Sequence, residues 1–432
     1  MSLHAQRVLA MAGAIVMATP PAAAGQVTAA NPPGLSVSRQ QAVDSALAHN
    51  PQLRVAMEQV AEARARAVEN TAFPDPSIVG DLTGQRRFTQ PATNTGSDLE
   101  LDLSVPFPTK FLLRHRVSNA DVRATESAVH LLQQQIASQT AQAYDALLVA
   151  LQRRDDLQEA DSLARVFLAK TEARFEAGSA PRLDVIKARV DAAQSVNDLL
   201  ANERDVANDR AGLNRLLGRP LGFAIDATDS LVVPDSLPPL DSLEATAQSA
   251  RPELVGLASQ RAGAGAAAAL ARQYWLPDLD LSVGKNLVQG APSTYTTTIG
   301  FSVPLFFWNH QRGEVAEARH YRRELDAAYV DLEAEVDQDV RTTYAAAATA
   351  LQQATYLRDD LVPEARRAYD IALVSYGLGG SSALDVLDAR RTLLDAEAQL
   401  AEALGAANDA RADLERAVGV PLDRFSGASN DR

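Results

Sequence analysis

The sequence predicts a mixed α/β membrane protein, internally duplicated, in which strands of bilayer-spanning length join unusually long helices. Three observations support this. First, the same landmarks recur about 200 residues apart: Pro51-Gln52-Leu53 with Pro252-Glu253-Leu254, Pro74-Asp75 with Pro277-Asp278, Val105-Pro106 with Val303-Pro304, Tyr144 with Tyr344, and Gly218, Pro220 and Leu221 with Gly419, Pro421 and Leu422. Second, each copy holds a stretch in which apolar and polar side chains alternate. Third, each copy carries helical patterns longer than ordinary globular helices. A repeat of this length marks a duplicated supersecondary unit rather than a solenoid module.

The first residues form a targeting pattern. Arg7 precedes the apolar run Val8–Ala18, and Pro20-Pro21 and Ala22-Ala23-Ala24 follow. A basic start, a short apolar core and a small-residue end predict a signal peptide over 1–24, cut near Ala24. An extended segment is expected over 25–37. No later apolar run reaches the roughly 18 residues of a transmembrane helix. A net charge of -14 argues against a nucleic-acid partner, which needs a basic face. The chain has no cysteine, so thiol catalysis, disulfides, cysteine-ligated metal and acylation at an N-terminal cysteine are excluded.

The first unit spans 38–222. It opens with a helix over Val60–Thr71, continues with strands near 78–89 and 97–106, and ends with long helices over 110–177 and 182–217. The segment 223–239, with three prolines, is the linker. The second unit spans 240–423, with a helix over Pro252–Tyr274, strands near 279–288 and 294–304, and helices over 309–377 and 382–418. A flexible tail is expected over 424–432.

The strands set the class. Leu99, Leu101, Leu103 and Val105 alternate with Asp98, Glu100, Asp102 and Ser104. In the second unit Leu279, Leu281 and Val283 alternate with Asp280, Ser282 and Gly284, and Ile299, Phe301 and Val303 with Thr298, Gly300 and Ser302. Alternating strands of about ten residues suit an outer-membrane barrel. Four strands cannot close around a pore, and a lone sheet would expose one apolar face and two edges. Three copies would supply twelve. A soluble hairpin packed on a helix is the plainer account, but nothing else in the chain offers to cover that face.

The helices form rods. Val386, Leu393, Leu400, Ala407 and Leu414 recur every seven residues, with Ala389, Ala396, Ala403, Ala410 and Ala417 three positions later. This a/d seam is more than half alanine, so the helices can approach closely. The first unit carries Val185, Ala192, Leu199, Val206 and Leu213, with the more polar Ala188, Ser195, Asn202, Asp209 and Leu216. Pro363 is expected to bend or interrupt the second long helix.

The rods reverse at two related motifs, Phe175–Val185 (FEAGSAPRLDV) and Tyr376–Val386 (YGLGGSSALDV). Gly178, Gly379 and Gly380 permit sharp turns. Ser179 in one tip, and Ser381 or Ser382 in the other, are candidate helix caps. Asp184 and Asp385 fall in first helical turns, where a carboxylate favours the helix dipole, and capping charge alone would explain both. No catalytic constellation is present: the six histidines have no HExxH spacing and there is no glycine-rich phosphate loop. His115 and His310, with Lys110, Arg114, Arg312 and Arg319, fall just past the strand ends and suit a membrane base.

These motifs together resemble the TolC-like outer membrane efflux protein family, the outer membrane factors of tripartite efflux systems. The resemblance covers about residues 38–423 and rests on the paired Leu-Asp-Val tips, the strand-ending Val-Pro pairs and the Gly-x-Pro-Leu unit ends. It implies a homotrimer with a 12-stranded outer-membrane β-barrel, four strands from each protomer, continued by a periplasmic α-helical barrel. It implies that Leu99, Leu101, Leu103, Leu281, Val283, Ile299 and Phe301 face outer-membrane lipid. By the same resemblance, Asp385 and Asp388 ring the periplasmic entrance, with carboxyl pKa values coupled upward, and Asp184 and Tyr376 help to hold it shut. Best-known members place an arginine where this chain has Ser381, so a differently built latch is expected. Phe175, Gly178, Ser179, Gly379, Gly380 and Ser381 are the expected contacts of a periplasmic adaptor, or membrane fusion protein. The implied energy source is an inner-membrane pump of RND type, and the duct itself needs neither cofactor nor metal and is no enzyme. The implied cargo is small solutes, drugs or metal ions. The alternatives are the outlet of a type I protein secretion system and a non-conducting periplasm-spanning structural protein.

Overall fold

A computed structural model describes residues 35–83, 96–234, 236–288, 292–303 and 307–426. The expected leader over 1–24 lies outside the described residues. The expected extended segment enters them at β1 (Leu35–Val37). Two helices, α1 (Arg39–His49) and α2 (Pro51–Asn70), follow where the sequence suggested one over Val60–Thr71. Ser38 starts α1 with a capping box: its Oγ accepts from Gln41 N at 3.3 Å and its N donates to Gln41 Oε1 at 3.0 Å. The break between them is local chemistry. Asn50 precedes Pro51, and a residue before proline is driven out of the helical region, here to ψ 127°. Asn50 Oδ1 then accepts from Gln52 N at 2.8 Å and starts α2.

The main sheet has the order β2 (Ser77–Thr83), β3 (Gly96–Val105), β5 (Asp278–Val288), β6 (Thr294–Ser302), antiparallel throughout. Its register decides its two faces, because directly opposed residues share a side. Leu103, Leu281 and Ile299 form one row, and Val105, Leu279 and Phe301 the next. On the other side stand Ser77, Asp102, Ser282 and Thr298, then Ser104, Asp280 and Gly300. The pair between the two sequence units, β3 with β5, joins the two hairpins into one sheet. Within the predicted linker, β4 (Ile225–Ala227) pairs in parallel with β1.

From β3 the chain enters α3 (Pro108–Glu176), 69 residues without interruption and about 100 Å long at 1.5 Å per residue. It returns as α4 (Arg182–Leu216). In the second unit, α5 (Leu240–Ala250) and α6 (Pro252–Arg272) break at Arg251-Pro252 as α1 and α2 do at Asn50-Pro51. The second rod is α7 (Phe307–Tyr356), a five-residue π-turn (Leu357–Leu361) and α8 (Val362–Leu378). Pro363 does not end the rod. The wider π-turn directly before it accommodates a ring that lacks an N–H and would otherwise meet the carbonyl four residues back. The chain returns as α9 (Ala383–Val418). The tail, expected to be flexible from 424, begins with a short helix, α10 (Asp423–Ser426), whose Phe425 packs on the core.

Corresponding residues of the two units build two equatorial cores. Ala46, Leu53, Ile136 and Leu213 lie in one, and Ala247, Leu254, Val336 and Leu414 in the other. A third core, of Phe167, Ala188, Tyr369, Tyr376, Val386 and Leu393, holds the far end of the rods together. Where α3 crosses α9 the helices touch at Gly405, where an added Cβ would lie 2.5 Å from Val149 Cγ2.

Candidate functional site

Both rods turn by the same hydrogen-bond pattern. Ser179 N donates to Arg174 O at 2.8 Å and Gly178 N to Phe175 O at 2.9 Å; Gly380 N donates to Ser375 O at 2.9 Å and Gly379 N to Tyr376 O at 3.0 Å. This Schellman closure requires a left-handed residue, supplied by Gly178 at φ 72° and Gly379 at φ 86°. The next helices start differently. Ser382 is the cap of α9, not Ser381: its Oγ accepts from Asp385 N at 3.2 Å, and Asp385 Oδ2 accepts from Ser382 N at 2.8 Å. Ser179 does not cap α4, because Pro181 occupies the cap position and no side chain serves it. Asp184 stands in the first turn of α4, half-buried.

The capping box fixes the charge of Asp385. Its hydrogen bonds from the Ser382 backbone and hydroxyl hold the carboxyl below the usual range. Within one protomer this runs opposite to the upward shift expected of a carboxylate ring. Asp388 lies one turn further on and is exposed. It lines a groove of about 850 Å³ between α4 and α9 with Asp191, Asp198 and Asp395.

Tyr376 is 2% exposed and faces inward. Its ring lies 5.3 Å from that of Phe167, and the Arg174 guanidinium sits 4.4 Å above it. Arg174 also donates to the Tyr376 carbonyl and, at 3.2 Å, to Ser179 O. Tyr376 therefore bonds across to α3. The arginine that clasps the two hairpins is Arg390. It is 4% exposed, donates to Ala160 O at 3.0 Å and to Ser195 Oγ at 3.4 Å, and pairs with Asp191. Its seam is legible in sequence, but its partners lie on α3 and α4, far away in the chain. Arg366 adds a further tie, reaching Glu159 on α3 at 3.0 Å and Glu397 on α9 at 2.5 Å.

At the opposite end, the sheet exposes Leu99 and Leu101 of β3, Val283 of β5, and Ile299 (66%) and Phe301 (68%) of β6, while Leu103 and Leu281 are half-buried. The other face carries Asp98, Glu100, Asp102, Asp278 and Asp280 among serines, threonines and glycines. Lys110 joins sheet to rod: its Nζ donates to Asp278 Oδ1 at 3.0 Å and Leu276 O at 2.7 Å. Among the described residues no group of three or more His, Cys, Asp or Glu is placed to hold a metal ion, and no helix is long and apolar enough to cross a membrane.

The outer membrane efflux protein pattern matches residues 42–219 and 244–420, nearly the whole described chain in two stretches. The chain belongs to the TolC-like outer membrane efflux protein family. This family member is thus an efflux-type channel protein of the outer membrane with a periplasmic extension, and not an enzyme. It is 21% identical over 381 residues to the cobalt-zinc-cadmium resistance protein CzcC of Cupriavidus metallidurans, covering 88% of this chain and 89% of that protein. It is 26% identical over 270 residues to the pyoverdine export outer membrane protein OpmQ of Pseudomonas putida, covering 59% of this chain and 56% of that one. Its fold matches that of the transmembrane channel CusC with a TM-score of 0.76 at 20% identity, over 90% of this chain and 94% of CusC.

Proposed function

We propose that three copies of this chain form the passive exit duct of a tripartite efflux system, carrying small solutes from an inner-membrane pump of RND type and a periplasmic adaptor to the exterior. The observation that carries this reading is the sheet. One face is apolar and exposed, the other polar and acidic, and both edges, β2 and β6, are unpaired among the described residues. Three such sheets edge to edge give twelve strands, an apolar rim for lipid and a polar lumen. Leu99, Leu101, Leu103, Leu281, Val283, Ile299 and Phe301 then meet the membrane.

At the other end, Asp385 and Asp388 of three copies would place six carboxylates around the entrance, favouring cations. Asp184 and Tyr376 belong to the closed state, with Tyr376 acting through Arg174 and Phe167. Phe175, Gly178, Ser179, Gly379, Gly380 and Ser381 form the surface offered to the adaptor. The cobalt-zinc-cadmium resistance for which CzcC is named and the acidic inner face both support metal cations among the cargo.

Planar-bilayer recording of the purified full chain tests this, wild type beside Asp385→Asn/Asp388→Asn. Small cation-selective currents are expected, with weaker selectivity in the variant. A folded trimer that never conducts, even when Tyr376→Ala loosens the tip, would overturn the reading.

A further inference from the structure

The main sheet ends in two open edges. Among the described residues β2 pairs only with β3, and β6 only with β5. Both edges also bare apolar side chains on the same face: Ile78 of β2 is 72% exposed, and Ile299 and Phe301 of β6 are 66% and 68% exposed. An edge of this kind is a template for another strand. The internal duplication indicates which strand, and in which register.

The sequence landmarks relate the two units. Pro74-Asp75 and Pro277-Asp278 stand at the starts of β2 and β5, and Val105-Pro106 and Val303-Pro304 at the ends of β3 and β6. Counted from these marks, Ser77 corresponds to Asp280 and Asp102 to Gly300, while Ile78 corresponds to Leu281 and Leu101 to Ile299. The two hairpins obey this correspondence. Ser77 opposes Asp102, and Asp280 opposes Gly300; Ile78 opposes Leu101, and Leu281 opposes Ile299. A register seen in one unit therefore transfers to the other.

One junction lacks its counterpart among the described residues. β3, the second strand of the first hairpin, pairs with β5, the first strand of the second. The equivalent junction joins β6 to a β2, yet within one protomer these strands lie at opposite edges of the sheet. Four strands cannot curl far enough to close on themselves, so the strand that meets β6 comes from another copy.

We propose that β6 pairs antiparallel with β2 of a second copy of this chain, with Ser302 opposite the partner's Ser77, Phe301 opposite the partner's Ile78 and Thr298 opposite the partner's Asp81. This rests on the channel reading and gives its seam a register. The three pairs are the images of Ser104–Asp280, Leu103–Leu281 and Glu100–Gly284 in the β3–β5 junction. Two features agree with it. Apolar Phe301 meets the partner's apolar Ile78, and polar Ser302 meets the partner's polar Ser77, whereas a slip of one residue would turn every side chain to the wrong face. The strand ends also coincide. The last residue of β6 meets the first of β2, all seven residues of β2 are paired, and pairing stops at Pro76, which has no N–H to give. A slip of two would leave Ser77 and Ile78 unpaired, or run β6 on against Pro76.

The chain has no cysteine, so a disulfide can arise only from residues placed for it. The test is mild oxidation of the purified full chain carrying Ser77→Cys/Ser302→Cys, read as covalent oligomer on a non-reducing denaturing gel. Within one protomer these positions lie across the whole sheet, about 14 Å apart, so any link joins two chains. Opposed residues across the seam have Cβ atoms about 5 Å apart, within reach of a disulfide, and diagonal ones about 7–8 Å apart, which is not. The matched pair is expected to link most protomers into covalent trimers. The slipped pairs Val79→Cys/Ser302→Cys and Ser77→Cys/Gly300→Cys should give at least about fivefold less. Asp81→Cys/Thr298→Cys repeats the matched register, should the first variant fail to fold. A slipped pair that links better than both matched pairs overturns the register. So does a trimer by light scattering in which no pair links, because the edges then do not meet. Neither result touches the channel reading. A wild-type chain that runs as protomers and never conducts removes both.

Discussion

Arg390 and Asp191 meet on helices from different halves of the chain, at a point where the arginine is almost wholly withdrawn from water. Removing one member of such a pair leaves the other charge uncompensated. Arg390→Ala is expected to cost about 2 kcal/mol in chemical denaturation, and Arg390→Ala/Asp191→Ala no more than that, because Asp191 is partly exposed. Asp409 carries a different load. Burial, reinforced by Asp145 and Asp413, pushes its carboxyl up to about 6, well above an ordinary aspartate. A folded-state value above the unfolded one penalises the folded protein at neutral pH, and the penalty fades as pH falls through 6 toward 4. Asp409→Asn should therefore raise stability by about 1–2 kcal/mol at pH 7.5 and by nothing at pH 4, in paired thermal melts. Neither site was as legible as Asp385. Asp385 announces itself as a capping charge from local spacing, and Ser382 bears that out. Arg390 and Asp409 gain their character mainly from burial and from partners on other helices.

At the scale of elements, alternation located the strands because a half-buried sheet imposes a period of two, and the helical seams were readable because they repeat every seven residues. The paired helices α1–α2 and α5–α6 were only partly readable: Pro51 and Pro252 set the breaks locally, but the residues reached by Asn50 and Arg251 could not be read. Asn50 Nδ2 donates to Leu216 O at 3.0 Å, and Arg251 Nη1 donates to Ala417 O at 3.0 Å, the same job at corresponding positions with different chemistry. Crossing points were also hidden. Gly405→Ala would gain roughly 1 kcal/mol of helix propensity, yet its methyl would collide with Val149, so a net loss of about 1–2 kcal/mol is expected. Adding Val149→Ala should recover most of it, and a double-mutant cycle by denaturation reads the coupling.

For the whole molecule, the apolar sheet face sets where the protein can live. Ile299→Arg/Phe301→Arg should leave the rods helical by circular dichroism yet abolish stable insertion into liposomes, since an arginine on a lipid face costs about 2–4 kcal/mol near mid-membrane. Insertion equal to wild type would mean that this face packs on protein instead. Sequence could propose a shared sheet but not its β3–β5 junction, because strand order across two units is a tertiary choice. The π-turn before Pro363 has a meaning of another kind. Gly178 and Gly379 stand one residue further apart than Tyr144 and Tyr344, so the second rod holds one residue more than the first between waist and tip. The wide turn takes up that surplus without rotating what lies below it, and Tyr376 still lands in its core. Chain length and helix phase are thereby uncoupled at one place, and the two corresponding units differ in length while keeping their tips in step.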